Sequence, residues 1–161
     1  MKAARFHPAT ILATWFWVGF IPPAPGTWGS VAALPLAWLV QTFAGPGALL
    51  LLCVVLAVVG VWAAGHHCTR VETHDPGEIV IDEVAGQCIA CLLLPPGPWW
   101  LWLAAFVLFR MLDIFKPWPI SLLDRSGRGG MRVMQDDLAA GLLVCVVMQL
   151  YLHMAGAAWI P

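Results

Sequence analysis

The sequence predicts an all-α integral membrane protein, a single domain over residues 1–161 that forms a helical bundle of about five membrane helices. Of the 161 residues, 61% are hydrophobic and only 11% are charged, whereas a soluble domain carries about 25% charged residues. The charges are confined to a short N-terminal tail and to residues 70–83 and 110–137. The long uncharged segments between them must therefore supply the membrane spans.

Glycine and proline divide these segments into five predicted helices. The helices cover residues 31–44, 48–64, 82–94, 99–113 and 136–154. "GPG" at residues 45–47 and "PPGP" at residues 95–98 connect the first two helices and the next two, because both residue types interrupt helices. "PGTWGS" at residues 25–30 predicts a turn and cap before the first helix. Residues 9–21 are too short to span a bilayer, so we expect an interfacial or re-entrant segment there.

Counting the predicted spans from the N-terminal tail places both charged segments on one side of the membrane. The basic residues expected on that side are Lys2, Arg5, Arg70, Lys116, Arg125, Arg128 and Arg132. The positive-inside rule makes this side cytoplasmic. Trp99, Trp100 and Trp102 follow "PPGP" and suit the opposite interface, where indole rings partition. We therefore expect a multi-pass protein whose polar face lies in the cytoplasm.

Six carboxylates could hold a metal ion on this face. They are Asp75, Glu78, Asp82, Glu83, Asp136 and Asp137. The last four form two pairs, in "DEVAG" and "DDLAAG", that open two predicted helices, and Gly86 and Gly141 would let those helices approach closely. Clustered carboxylates repel one another unless they are protonated or bridged by cations. Oxygen ligands favour hard divalent ions, of which Mg²⁺ is the leading candidate.

A third group of charges lies between the two acidic pairs. Arg110, Asp113 and Lys116 recur at helical spacing and line one stripe at the end of their helix. Carboxylates that hold a metal, with Arg and Lys beside them, are suited to binding and cleaving a phosphate ester. The metal would bridge phosphoryl oxygens and activate water, and the cations would neutralise the developing charge.

The other polar residues have simpler interpretations. Solvated surface positions are favoured for Arg70, Glu72, Arg128 and Arg132. For His66, His67 and His74 an interface position is favoured over metal binding, because hard oxygen donors are already abundant. The acidic residues could form a structural charge network. A functional role is favoured because uncompensated carboxylates at helix ends in a membrane are costly. The net charge of −1 gives no indication of a nucleic-acid partner.

Five segments, taken in order, resemble the phosphatidylglycerophosphatase A family. They are "PGTWGS", "DEVAGQ", "FRMLDIFKPWPI", "DR…GG" and "DDLAAG", and the resemblance covers about residues 22–141. The resemblance implies a Mg²⁺-dependent phosphatase of the bacterial inner membrane. Its substrate would be a phospholipid, phosphatidylglycerophosphate, which it would convert to phosphatidylglycerol and inorganic phosphate during phospholipid synthesis.

The resemblance also implies roles for the charged residues. Residues 82, 83, 113, 136 and 137 match the family's acidic positions directly. The two acidic pairs would bind the metal, with Glu78 and Asp75 as further candidates, and Asp113 would be either a ligand or the group that orients the attacking water. Arg110, Lys116 and Arg125 would contact the substrate phosphate. The alternative is a membrane cation transporter, which predicts acids near the bilayer midplane and not at helix ends.

Overall fold

The computed structural model describes residues 5–73, 76–118, 120–124 and 128–156. Every secondary-structure element in these ranges is helical, which confirms the all-α class. The elements are α1 (Pro8–Ala13), a 3₁₀ turn (Val18–Phe20), α2 (Pro25–Val71), α3 (Ile81–Ala90), α4 (Trp99–Phe115), α5 (Ile120–Asp124) and α6 (Gly130–Met154).

Helix α2 consists of two limbs that meet at Gly45. Gly45 has φ 80° and ψ 177°, a non-helical conformation that glycine adopts without steric cost. Gly29 and Gly60, on opposite sides of this break, pack against the adjacent residues Val80 and Ile81. The second limb therefore folds back along the first, and the reversal predicted at "GPG" is present.

Four of the predicted helix boundaries are wrong, including the end of the second limb of α2, which lies at Val71 and not at residue 64. The first limb begins at Pro25, so "PGTWGS" forms its opening turn and not a preceding cap; proline at a first helical position suits this start. Helix α3 ends at Ala90, whereas we expected residue 94. Helix α6 begins at Gly130, so residues 136 and 137 lie in its second turn and do not open it.

The irregular segment after α3 has its carbonyl groups satisfied by side chains from three helices. Four successive carbonyls accept such bonds: Leu93 from Gln149 at 2.7 Å, Leu94 from Gln41 at 3.1 Å, Pro95 from Trp102 at 3.0 Å and Pro96 from Trp38 at 2.9 Å. Buried carbonyl groups in a non-helical segment require hydrogen-bond partners of this kind within the protein. The bonds fix this turn to α2, α4 and α6 at the end of the bundle farthest from the charges.

The N-terminal segment packs at the charged end of the bundle. Helix α1 has six residues, and the Nδ1 atom of His7 accepts a hydrogen bond from the amide of Ala9 at its start. The carbonyl of Ala13 accepts a hydrogen bond of 2.9 Å from the amide of Val80. This segment therefore supports the chain that leads into α3.

Two described helices, α2 and α6, have the length and hydropathy needed to cross a membrane. Helices α3 and α4 have 10 and 17 residues, fewer than the ~20 that a spanning helix needs. Length and composition alone therefore make α2 and α6 candidate membrane spans within the described ranges, fewer than the roughly five spans predicted from the sequence.

Candidate metal and phosphate site

A polar cavity of about 220 Å³ opens at the charged end of the bundle, between α3, α4 and α6. Its wall combines side chains of both signs with a few small and apolar residues. The ionisable residues that line it are Asp82, Glu83, Asp113, Lys116, Arg132, Asp136 and Asp137. Both predicted acidic pairs and two members of the predicted Arg110 stripe thus reach one cavity.

Three carboxylates form the centre of this wall. Oxygen atoms of Asp82, Glu83 and Asp137 all lie within 4.8 Å of one another. Asp82 and Asp137 are 9% and 3% exposed. The Oδ1 atom of Asp82 accepts a hydrogen bond of 3.0 Å from the backbone amide of Glu83 in the first turn of α3, where the helix dipole also favours negative charge. These three residues could hold a metal ion through oxygen atoms alone.

A glycine contact brings the two acidic pairs together. A Cβ atom on Gly141 of α6 would overlap the carbonyl oxygen of Gly86 of α3. A Cβ atom on Gly86 would lie 2.6 Å from the carbonyl oxygen of Asp137. The backbones of α3 and α6 therefore touch here, which confirms the close approach predicted from the two glycines.

Two cations are paired with acids of the cavity. Arg110 Nη1 lies 2.5 Å from Asp113 Oδ2 and 3.9 Å from Glu83 Oε1, and the Arg110 side chain is 15% exposed. Lys116 Nζ lies 2.5 Å from Asp136 Oδ2. Lys116 lines the cavity, whereas Arg110 lies behind the wall, where it holds Asp113 and Glu83.

The segment "PGTWGS" contacts this site through Gly26. A Cβ atom on Gly26 would overlap Glu83 Oε1 and would lie 3.2 Å from Arg110 Nη1. The first turn of α2 therefore packs directly on the ion pair behind the cavity.

Burial shifts the pKa values of the acidic residues in α3. This helix is not one of the two that are long enough to span a membrane. Burial raises the pKa of Asp82 well above its ordinary value, and the charge of Glu83 adds to the shift. Burial also raises the pKa of Glu83 to about 8, although its hydrogen bond with Asp82 opposes the shift. The buried Oε2 atom of Glu83 has no hydrogen-bond partner within the described ranges. Such a cluster needs protons or a cation to offset its charge.

Glu78 does not join the acidic cluster. It precedes α3 and bonds to the Nε2 atom of His67 at 3.2 Å, while the Nδ1 atom of His67 lies 3.2 Å from the hydroxyl of Thr10. His67 is 0% exposed, so its side chain lies inside the protein and not on its surface. Asp75, Arg125 and His74 lie outside the described residues.

Arg132 is a cavity residue that the sequence pattern had placed on the solvated surface. Its side chain is exposed but lines the cavity. Arg132 lies one helical turn before Asp136, so the two residues share a face of α6. A predicted start of α6 at Gly130 would have placed Arg132 on the same helical face as Asp136, and so at the cavity.

The sequence profile described as Phosphatidylglycerophosphatase A matches residues 11–152, most of the chain. The chain belongs to the phosphatidylglycerophosphatase A family. Membership confirms the resemblance found in the five segments, and the matched range contains every described residue of the cavity wall.

Curated relatives agree with this family. Phosphatidylglycerophosphatase A of Escherichia coli is 42% identical over 138 residues, which cover 85% of this chain and 79% of that protein. Phosphatidylglycerophosphatase A of Haemophilus influenzae is 35% identical over 146 residues, or 91% and 90% of the two chains. A Bacteroides thetaiotaomicron protein named putative phosphatidylinositol-3-phosphatase is 37% identical over 152 residues, or 88% and 91%. No solved structure matches the chain.

Proposed function

We propose that this chain is a Mg²⁺-dependent lipid phosphatase that hydrolyses phosphatidylglycerophosphate to phosphatidylglycerol and inorganic phosphate. One observation carries the proposal: a carboxylate cluster and two cations, Lys116 and Arg132, line the same cavity. Family membership and two relatives named phosphatidylglycerophosphatase A support the choice of substrate.

The donor set fits Mg²⁺. Asp82, Glu83 and Asp137 offer oxygen ligands only, and Glu83 has a buried oxygen atom without a hydrogen-bond partner in the described ranges. These three residues would hold the ion, with Asp136 beside them in the same wall. Bound there, Mg²⁺ supplies positive charge that polarises the phosphoryl group.

The remaining residues of the cavity bind and orient the reactants. Lys116 offsets negative charge on the phosphomonoester. Arg110 fixes Asp113 through their 2.5 Å contact, so Asp113 either joins the metal ligands or orients the attacking water. The water oxygen forms a bond to phosphorus and the bond from phosphorus to the glycerol oxygen breaks. The attacking water loses one proton, and the leaving glycerol oxygen takes one up. Arg110 acts as a positioning residue in this scheme.

We also propose that the chain is a multi-pass protein of the bacterial inner membrane with the cavity on the cytoplasmic side. The basic residues concentrate at the cavity end. The helices also carry large apolar side chains on their outer surfaces, such as Leu51 at 65%, Val58 at 67% and Leu142 at 59% exposure. Single cysteines at Thr73 and Arg128 should resist an impermeant thiol reagent in intact cells and react after lysis. Labelling in intact cells would contradict this orientation.

Phosphate release by the purified protein tests the activity. Phosphatidylglycerophosphate in detergent micelles should release phosphate with Mg²⁺ and none with EDTA. Phosphatidylinositol 3-phosphate is the comparison substrate, because one relative carries that name. Turnover in micelles would also exclude an obligate transporter, since micelles hold no gradient. Absence of phosphate release at any Mg²⁺ concentration would overturn the proposal.

A further inference from the structure

A groove of about 490 Å³ lies on the outer face of α2, near the charged end of the bundle. None of its described lining residues also lines the cavity between α3, α4 and α6. The residues that α2 contributes to the groove lie at intervals of four and therefore share one face of the helix. They are Val61, Trp62, Gly65, His66, Thr69 and Arg70.

His7 lines the groove from the start of α1. The hydroxyl of Thr10 in α1 lies 3.2 Å from Nδ1 of His67, whose buried side chain points into the protein, so α1 is held against α2. Nδ1 of His7 accepts a hydrogen bond from the amide of Ala9. A ring nitrogen that accepts carries no hydrogen, so Nε2 of His7 carries one and can donate it. His7 therefore brings an N–H donor to the groove that contains Arg70.

One end of the groove offers positive charge to an anion. None of the described residues that line it is acidic. Arg70 is exposed and forms no ion pair within the described ranges. Its guanidinium group presents a planar fork of N–H donors that matches the oxygens of a phosphate group. A phosphate in the groove would therefore bind Arg70 and His7 without displacing a carboxylate of the protein.

The other end of the groove is apolar. Val61 and Trp62 lie about two helical turns before Arg70 on the same face of α2. The outer face of α2 stays apolar beyond them, where Val58 is 67% and Val54 is 53% exposed. Tryptophan is typical of the junction between the apolar and polar layers of a membrane. The groove thus changes from apolar to basic towards the charged end of the bundle, which is the order and direction of the acyl chains and phosphate of a phospholipid.

We propose that this groove binds an anionic phospholipid, with its phosphate at Arg70 and His7 and its acyl chains along Val61 and Trp62. The site is separate from the acidic cavity, so the bound lipid is not the molecule that is hydrolysed, and the inference does not depend on phosphatase activity. A lipid that contacts both His7 and Arg70 joins α1 to α2. It should therefore raise the melting temperature of the protein.

Lipid binding to the purified protein in an uncharged detergent tests the site. The first probe is dioleoylphosphatidylmethanol, an anionic phosphodiester that is neither the proposed substrate nor its product. The second is dioleoylphosphatidylcholine, which has the same acyl chains and no net charge. Native mass spectrometry across a titration of each lipid gives the Kd of the first bound molecule. The wild-type protein should bind phosphatidylmethanol about tenfold more tightly than phosphatidylcholine.

Five variants locate the bound lipid. Arg70→Gln should reduce the preference for phosphatidylmethanol to less than about twofold. His7→Asn should weaken phosphatidylmethanol binding, while asparagine still caps α1. Trp62→Ala should weaken the binding of both lipids equally. Arg128→Gln is the matched control, since Arg128 is an exposed arginine outside the groove, and it should bind like wild type, as should Lys116→Ala in the cavity.

Lipid-free thermal melts show whether each variant is folded, and His7→Asn gives an independent test if Arg70→Gln is not. Three results would overturn the site: no preference in the wild-type protein, an undiminished preference when either Arg70 or His7 is replaced in a folded variant, or an equal loss in Arg128→Gln, as expected for general attraction of anions. Loss of binding in Lys116→Ala alone would place the lipid in the cavity instead. Dimethyl phosphate has no acyl chains, so equally tight binding of this anion would show a site for free phosphate and overturn the lipid assignment.

Discussion

His67 and Glu78 form a partly buried link between α2 and the segment that leads into α3. Their Nε2 and Oε1 atoms are 3.2 Å apart, and the other ring nitrogen of His67 lies near the hydroxyl of Thr10 in α1. Their side chains are 0% and 30% exposed. Glu78 therefore serves the packing of this segment, although it lies only four residues before Asp82.

Glu78→Gln should leave the dependence of activity on Mg²⁺ unchanged. A glutamine oxygen can still accept a hydrogen bond from His67, so the variant should lose only about 0.5–1.5 kcal/mol of stability. A Mg²⁺ titration of activity and a thermal melt in detergent check this. If Glu78→Gln needs much more Mg²⁺ than wild type, Glu78 is a ligand after all.

Asp82→Asn and Asp137→Asn should each reduce kcat by more than about 100-fold. Loss of a residue that only hydrogen-bonds to a metal ligand already lowers metal affinity or activity about 10–100-fold. Each change removes a charge from the cluster whose oxygens lie within 4.8 Å of one another. Glu72→Gln is the control, since Glu72 is an exposed acid at the end of α2. Phosphate release is measured at equal amounts of folded protein. Near-normal turnover of either variant at limiting Mg²⁺ would show that its residue is no essential ligand.

The sequence contains enough information for the fold class and for most of the site. Uncharged runs interrupted by glycine and proline predict the helices, and Gly86 and Gly141 predict where α3 and α6 touch. The acidic pairs predict the cavity, because like charges in an apolar chain are costly unless they share a counterion. These features are local, so residue type and spacing reveal them.

Other features depend on contacts between distant segments. Helical spacing alone would place Glu78 beside Asp82, but the chain does not become helical until Ile81, and the amide of Val80 is bonded to Ala13. Gln41 and Gln149 are isolated polar residues in apolar helices, and their partners are carbonyls more than 50 residues away. Single-sequence patterns do not identify such pairs.

Lys116→Ala and Asp113→Asn should respond differently to Mg²⁺. Loss of Lys116 removes a charge-assisted contact to phosphate, worth about 1.5–3 kcal/mol, so its defect should persist at saturating Mg²⁺. Asp113→Asn should be partly rescued by excess Mg²⁺ if Asp113 is a ligand, and not rescued if it orients water. Steady-state kinetics across a Mg²⁺ titration separate these outcomes. Full rescue of Lys116→Ala by Mg²⁺ alone would show that Lys116 does not contact the phosphate.

Gly141→Ala should impair both stability and activity, although the change adds one uncharged methyl group and removes no charged side chain. The new Cβ atom would overlap the carbonyl oxygen of Gly86, and backbone cannot move aside as a flexible side chain can. Overpacking of this kind costs about 1–3 kcal/mol. It would also push α3 and α6 apart and so separate Asp82 from Asp137.

Gly97→Ala is the matched control for Gly141→Ala, because a Cβ atom on Gly97 would meet nothing within 4 Å. The control should keep wild-type melting temperature and turnover, whereas Gly141→Ala should melt at a lower temperature and need more Mg²⁺ for half-maximal activity. The need for more Mg²⁺ follows from the displaced carboxylates, since a looser cluster binds a cation less tightly. If both variants behaved like wild type in detergent and in membranes, the contact between α3 and α6 would not be what holds the two acidic pairs together.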